Sequence, residues 1–254
     1  MSLHPYAHIV HRVQKPARYL GGEYGAKKKD WDAEGLLARV CLAFPDIYDI
    51  GMSHLGFKIL YKILNDDPRT LAERCFTPWV DMQDLLRAEG LPLVSLESAR
   101  ELREFDVVGF SLQFELTYTN ILTMLDLGRI PLTSAERGED DPLIIAGGPT
   151  ATHPEPVATI IDAFVIGDGE ERTTDLAILW TDLKKQGVSR KDRLLRIARL
   201  SGVYVPSLYE VTVDPNTDFE YVAHPLVKNL ALPVRRNMVD DLNRFPFPHD
   251  GPVG

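Results

Sequence analysis

Four short segments of the chain gather the residue types that hold a ligand: glycines that let a backbone come close, with a few polar groups to orient what arrives. Gly51-Met52-Ser53-His54-Leu55-Gly56 runs into an apolar helical pattern, so free backbone N–H groups and a capping Ser53 would form a site for anions, with His54 the ring beside it. Ser111 and Gln113 follow a buried apolar run and could exchange hydrogen bonds with a ligand at its end. Gly147-Gly148-Pro149-Thr150 strips side chains from the place where a flat ring or a nucleotide tail needs room. Gly167 and Gly169, around Asp168, do the same before Glu170 and Glu171.

Each segment also has a reading that needs no ligand. Ser53 could simply cap a helix while His54 packs or faces water, and Ser111 could be a satisfied small residue at a strand end. The Gly147-Gly148 pair could be a tight strand-to-helix turn. Glu170 and Glu171 complement a helix dipole without any partner, and His153 reads as a surface loop residue.

The elements around these segments decide between the readings. The runs at 38–44, 106–112, 142–146 and 163–166 are apolar but for Arg39, Asp106 and Ser111 and do not alternate, as expected of strands covered on both faces. A short strand at 75–77 and another at 91–96 complete the set. Helical periodicity at 57–64, 82–89, 117–127 and 170–186 alternates with them. The pattern predicts an α/β fold with a doubly wound, Rossmann-like or flavodoxin-like parallel sheet. In such sheets ligands bind outside the carboxyl ends of the strands, where all four segments fall. Residues 203–213 and 219–223 read as antiparallel strands about the turn 214–217, a small C-terminal β appendage. The predicted organisation is an arm of no regular fold over 1–35, with a solvated Lys27-Lys28-Lys29 run, the α/β domain over 36–202, and the appendage with a Pro-punctuated linker over 203–254.

Composition narrows the function. Against 28 Lys and Arg stand 37 Asp and Glu, a net charge of -9, which argues against direct nucleic-acid binding. No apolar run is long enough to span a bilayer and residues 1–18 lack the apolar core of a signal peptide, so a cytoplasmic home without membrane contact is expected. The two cysteines, Cys41 and Cys75, stand far apart, which leaves no cysteine-ligated cluster or zinc knuckle within the chain.

Taken in order, 106–112, Ile145-Ala146-Gly147-Gly148-Pro149-Thr150-Ala151-Thr152-His153-Pro154-Glu155 and Asp162-Ala163-Phe164-Val165-Ile166-Gly167-Asp168-Gly169-Glu170-Glu171 resemble the cobalamin-binding domain at the N-terminus of many radical S-adenosylmethionine enzymes, across roughly 36–180. The resemblance implies cobalamin as cofactor, Ser111 near its buried nucleotide tail, and Gly147 and Gly148 along the tail's path. It also implies a radical catalytic domain in cis, with the S-adenosylmethionine and 4Fe-4S sites there, so this chain alone would be a non-catalytic fragment. His54 is the candidate cobalt ligand, yet the histidine motif of cobalt-ligating relatives, Asp-x-His-x-x-Gly, is not met: Gly56 follows too soon and the nearest preceding acid is Asp49. Two alternatives stay open: a cofactor-free module that docks or positions substrate, and a flavodoxin-like domain holding a flavin phosphate at the Ser53 helix start, which predicts an Arg or Lys beside that helix.

Overall fold

The computed structural model describes residues 4–245 and 247–253, so Pro246 of the predicted linker lies outside the described residues. Its sheet has six strands in the order β2-β1-β3-β4-β5-β6. These are β1 (Ala38–Phe44), β2 (Thr70–Phe76), β3 (Val107–Ser111), β4 (Leu143–Gly147), β5 (Ala163–Val165) and β6 (Val203–Tyr204). The first five are parallel and β6 joins antiparallel at the edge. Helices α1 (Tyr48–Gly51), α2 (Leu55–Asp66), α3 (Val80–Glu89), α4 (Tyr118–Leu127), α5 (Arg172–Lys185) and α6 (Arg190–Ile197) connect them. The chain leaves β1 to one side for β2, then returns past it to β3, β4 and β5 on the other. With right-handed crossovers, that reversal puts α2 on one face and α4 on the opposite one. A crevice opens at the carboxyl edge between β1 and β3, where the order reverses.

Several sequence expectations are corrected. Residues 91–96 form no strand: Pro92 has no N–H to give, the Tyr6 hydroxyl donates to the Pro92 carbonyl and accepts the Val94 N–H, and Leu93 N–H goes to Leu127. The run 203–213 is broken at Pro206, so β6 pairs with β5 while β7 (Tyr209–Val213) pairs with β8 (Glu220–Pro225) in a separate hairpin. The N-terminal arm is packed instead of solvated, with Tyr6, Ile9, Val10, Val13 and Tyr19 in the core. Helix α6 was not anticipated, although Ser189, whose hydroxyl accepts the Asp192 N–H, marks its start.

A buried carboxylate gathers two arginines in the body of the domain. Asp162, 1% exposed at the start of β5, takes Arg137 Nη1 at 3.1 Å and Arg190 Nη2 at 2.8 Å, as well as the Ile144 N–H and the Ser134 hydroxyl. The Arg190 and Arg193 guanidinium groups lie over the Trp180 ring at 5.2 and 4.3 Å, docking α6 on α5.

The outer edge of β2 is closed by side chains. Lys29 donates its ammonium to the Thr70 carbonyl, Asn65 exchanges two hydrogen bonds with the Ala72 backbone, and Glu97 accepts the Arg74 N–H while Leu96 N–H reaches the Arg74 carbonyl. Lys29 is therefore a structural cation, not part of a solvated run.

Candidate functional site

The crevice is a cleft of about 340 Å³ above β1, β3, β4 and β5, roofed by the first turns of α2 and α5. Its floor follows from strand register. Leu42, Gly109 and Ile145 are neighbours across β1, β3 and β4, and two residues further along Ser111, Gly147 and Val165 are neighbours across β3, β4 and β5. Side chains two apart on a strand share a face, so Gly109, Ser111 and Gly147 make a shallow trough bordered by Leu42, Ile145 and Val165.

The glycines of the site do different work. Gly148 has φ +113°, and a Cβ there would lie 2.5 Å from the Leu112 carbonyl oxygen, so backbone geometry alone demands glycine. At Gly147 a Cβ would meet nothing nearer than the Val165 carbonyl oxygen at 3.5 Å, and at Gly109 nothing nearer than the Ile145 side chain at 3.4 Å. The protein's own packing does not require glycine at those two positions. What a side chain there would consume is the cleft.

Of the predicted site residues, His54, Ser111, Gln113, Gly147, Gly148, Pro149, Gly167 and Gly169 line the cleft. Gln113 donates its amide to the Ser111 oxygen at 2.9 Å, which leaves the Ser111 O–H free to donate. Gly51, Ser53 and Thr150 are not in the lining. Gly51 is packed under the Phe76 and Phe44 rings, where only a hydrogen fits. Ser53 does not cap α2; its hydroxyl donates to the Ile50 carbonyl at 2.7 Å. Thr150 belongs to the turn 149–152, which folds back so that its N–H meets the Leu112 carbonyl.

His54 is the cap. Its Nδ1 accepts the Phe57 N–H at 3.2 Å, and its ring rests against Phe44 with centroids 5.4 Å apart. A neutral imidazole whose Nδ1 accepts carries its proton on Nε2 and has no lone pair there for a metal. The geometry thus gives His54 a helix-start role that competes with cobalt ligation.

Gly109, Asp168, Glu170 and Thr173 are among the lining residues that sequence reasoning did not name as site residues, beside apolar ones such as Leu42 and Ile145. Gly109 carried a signal, since glycine inside an otherwise apolar strand marks close approach by another group. No Lys or Arg lines the cleft among the described residues, while Asp168 and Glu170 do.

A larger groove of about 1000 Å³ lies elsewhere, between the β7–β8 hairpin, α6 and the turns at 133–137 and 155–159. It sits by the amino ends of β4 and β5, where Arg190 bonds the Pro142 carbonyl and Asp162, and so on the rim opposite the topological switch. We place the candidate site in the smaller cleft, because strand register builds its floor and the order reversal opens it.

The sequence profile of the family described as radical SAM proteins, N-terminal, matches residues 56–206, more than half of the chain, and spans β2 to β6 with the whole cleft floor except Leu42. The chain belongs to the radical SAM N-terminal family. No curated protein matches this family member. Among solved structures it is similar to the radical S-adenosylmethionine methyltransferase TsrM from Kitasatospora setae, bound to tryptophan and a SAM analog, at 15% identity and a TM-score of 0.42 over 70% of this chain and 29% of that one. It is also similar to the cobalamin-dependent radical enzyme OxsB with aqua-cobalamin and S-adenosylmethionine bound, at 16% identity and a TM-score of 0.41 over 74% of this chain and 22% of that one. This radical SAM N-terminal chain therefore spans less than a third of either structure's length. Among its described residues no helix is long and apolar enough to cross a membrane.

Proposed function

We propose that the chain is the cofactor-holding module of a radical SAM enzyme, with cobalamin as the group held in the cleft. The observation that carries this reading is the trough of Gly109, Ser111 and Gly147, two of whose members are glycine for no reason internal to the fold. Ser111 would donate its free hydroxyl to the incoming tail, and Gly109 and Gly147 would give it the floor. Gly148, Gly167 and Gly169 would line its path, with Gln113 holding the Ser111 oxygen and Pro149 fixing the turn. Bound cobalamin would supply a transferable methyl group or an electron store; the residues of this chain bind and orient it and take no part in bond making.

With only Cys41 and Cys75, both buried, the chain holds too few thiolates for a radical cluster. The 4Fe-4S and S-adenosylmethionine sites belong, on this reading, to a catalytic domain in cis, the principal partner. We assign the module to the cytoplasm. Lys58 stands in the first turn of α2, as a flavin phosphate there would want, but it does not line the cleft, which offers Asp168 and Glu170 instead. His54 already takes the Phe57 N–H, so a flavin phosphate fits less well.

Incubation with hydroxocobalamin followed by gel filtration tests the proposal. Co-elution of the corrinoid absorbance with the protein, about one per chain, is the expected result. Colourless, folded protein would overturn it and leave the cofactor-free docking module.

A further inference from the structure

The wall of the cleft at Gly167 is held from an unexpected direction. Residues 236–239 lie far beyond the sheet in sequence and follow the β7–β8 hairpin, yet Asn237 forms a parallel bridge with Gly167. Its N–H donates to the Ile166 carbonyl at 2.8 Å and its carbonyl accepts the Asp168 N–H at 3.0 Å. The side chain, on a residue 7% exposed, adds two more bonds: Nδ2 donates to the Asp168 carbonyl at 2.9 Å, and Oδ1 accepts from Arg172 Nη2 at 3.2 Å. Two residues on, Val239 N–H reaches the Asp168 carboxylate at 2.8 Å.

Glycine geometry shows how close the fit is. A Cβ at Gly167 would run into the Asn237 carbonyl, and one at Gly202 would stand 2.7 Å from the Asn237 Cβ, so both glycines make room for this one residue. Gly167 has φ +97°, which sets the direction in which 168–169 cross the mouth of the cleft toward α5. The backbone bridge supplies proximity. The carboxamide supplies direction, because one end is a donor to the cleft loop and the other an acceptor from the first turn of α5.

We infer that Asn237 is a positioning residue of the cleft: it locks the Gly167–Gly169 loop to α5 in the geometry a ligand meets, and ties that geometry to the chain segment that follows the hairpin. The inference rests on the cofactor reading only for the identity of the ligand. Loss of the carboxamide should loosen the loop while leaving the sheet intact, since no sheet hydrogen bond uses this side chain.

The test compares the full chain with Asn237→Ala and Asn237→Asp, the second keeping the acceptor to Arg172 while losing the donor to Asp168. Hydrogen exchange at the Asp168 amide is expected to rise about tenfold in both, with β3 and β4 amides unchanged, as for the loss of one buried hydrogen bond. Hydroxocobalamin Kd is expected to weaken by about the same factor. Should Asn237→Ala fail to fold, Asn237→Ser is read in its place. Unchanged exchange at Asp168 would overturn the inference. So would raised exchange with an unaltered Kd. If the parent chain binds no corrinoid, the cofactor reading falls, and the exchange measurement alone decides whether Asn237 positions the loop.

Discussion

His54 Nδ1 accepts the backbone N–H of Phe57 at 3.2 Å, closing the first turn of α2 at the mouth of the cleft. Removing that cap by His54→Ala should cost about 1 kcal/mol of stability, and His54→Asn, which can cap in the same way, should recover most of it. Corrinoid Kd should change by less than about threefold in His54→Asn, because Nε2 is the protonated nitrogen in the capped ring. Urea melts and absorbance titration check this, and a collapse of corrinoid binding in the folded Asn variant would restore His54 as a cobalt ligand.

Filling the trough separates ligand space from fold space. Gly147→Val and Gly109→Val should keep the fold, at a cost of about 1 kcal/mol or less, while abolishing corrinoid uptake. Gly148→Ala should show the reverse priority: it strains a left-handed backbone position against the Leu112 carbonyl and should cost about 1–3 kcal/mol whatever the ligand. Denaturation midpoints beside uptake assays distinguish the two classes.

Among the described residues Asp162 is the one carboxylate paired with both Arg137 and Arg190, where its own side chain is fully buried. Asp162→Ala would leave both guanidinium groups buried without their counter-charge, and a loss of about 3–5 kcal/mol is expected. Calorimetry or guanidinium melts would show it, and a loss under about 1 kcal/mol would mean that the surrounding carbonyls suffice.

Acid should loosen the two ends of the chain before the sheet. Lys15, with Arg18, holds the Asp49 carboxyl down to about 2, and Lys27, with Lys62, holds Asp250 down to about 2. A carboxyl depressed in the folded state contributes stability that is fully present above its unfolded value of about 3.9 and disappears as pH falls through the folded value. Hydrogen exchange or limited proteolysis between pH 4 and about 2 should therefore find the arm near Lys15 and the tail near Asp250 released first. Simultaneous loss of all protection would contradict this.

Much of this arrangement was legible in the sequence, and the failures have physical causes. Apolar runs gave away β1, β3, β4 and β5, whereas β2 was read only at 75–77 because Glu73 and Arg74, buried against Ser95 and Glu97, interrupt its apolar pattern. Residues at the carboxyl ends of the strands pointed to part of the cleft lining. The cap was misplaced by one residue because Ser53 is the better generic capping residue, whereas packing against Phe44 turns His54 inward instead. Residues 91–96 look like a strand, but their N–H groups go to scattered partners that only tertiary structure supplies: the α4-end carbonyl of Leu127, the Tyr6 hydroxyl, the Arg100 carbonyl and, from Leu96 alone, a β2 carbonyl, that of Arg74. Asn237 left no trace at all, since its role depends on a contact across 70 positions with Gly167.

The side-chain seal along β2 bears on how the protein behaves in a crowded solution. Lys29 occupies the Thr70 carbonyl, the Asn65 carboxamide both backbone groups of Ala72, and the Glu97 carboxylate and Leu96 N–H those of Arg74, so a foreign strand finds no ladder to extend there. Opening that seam would leave a row of unpaired backbone groups for another chain to pair with.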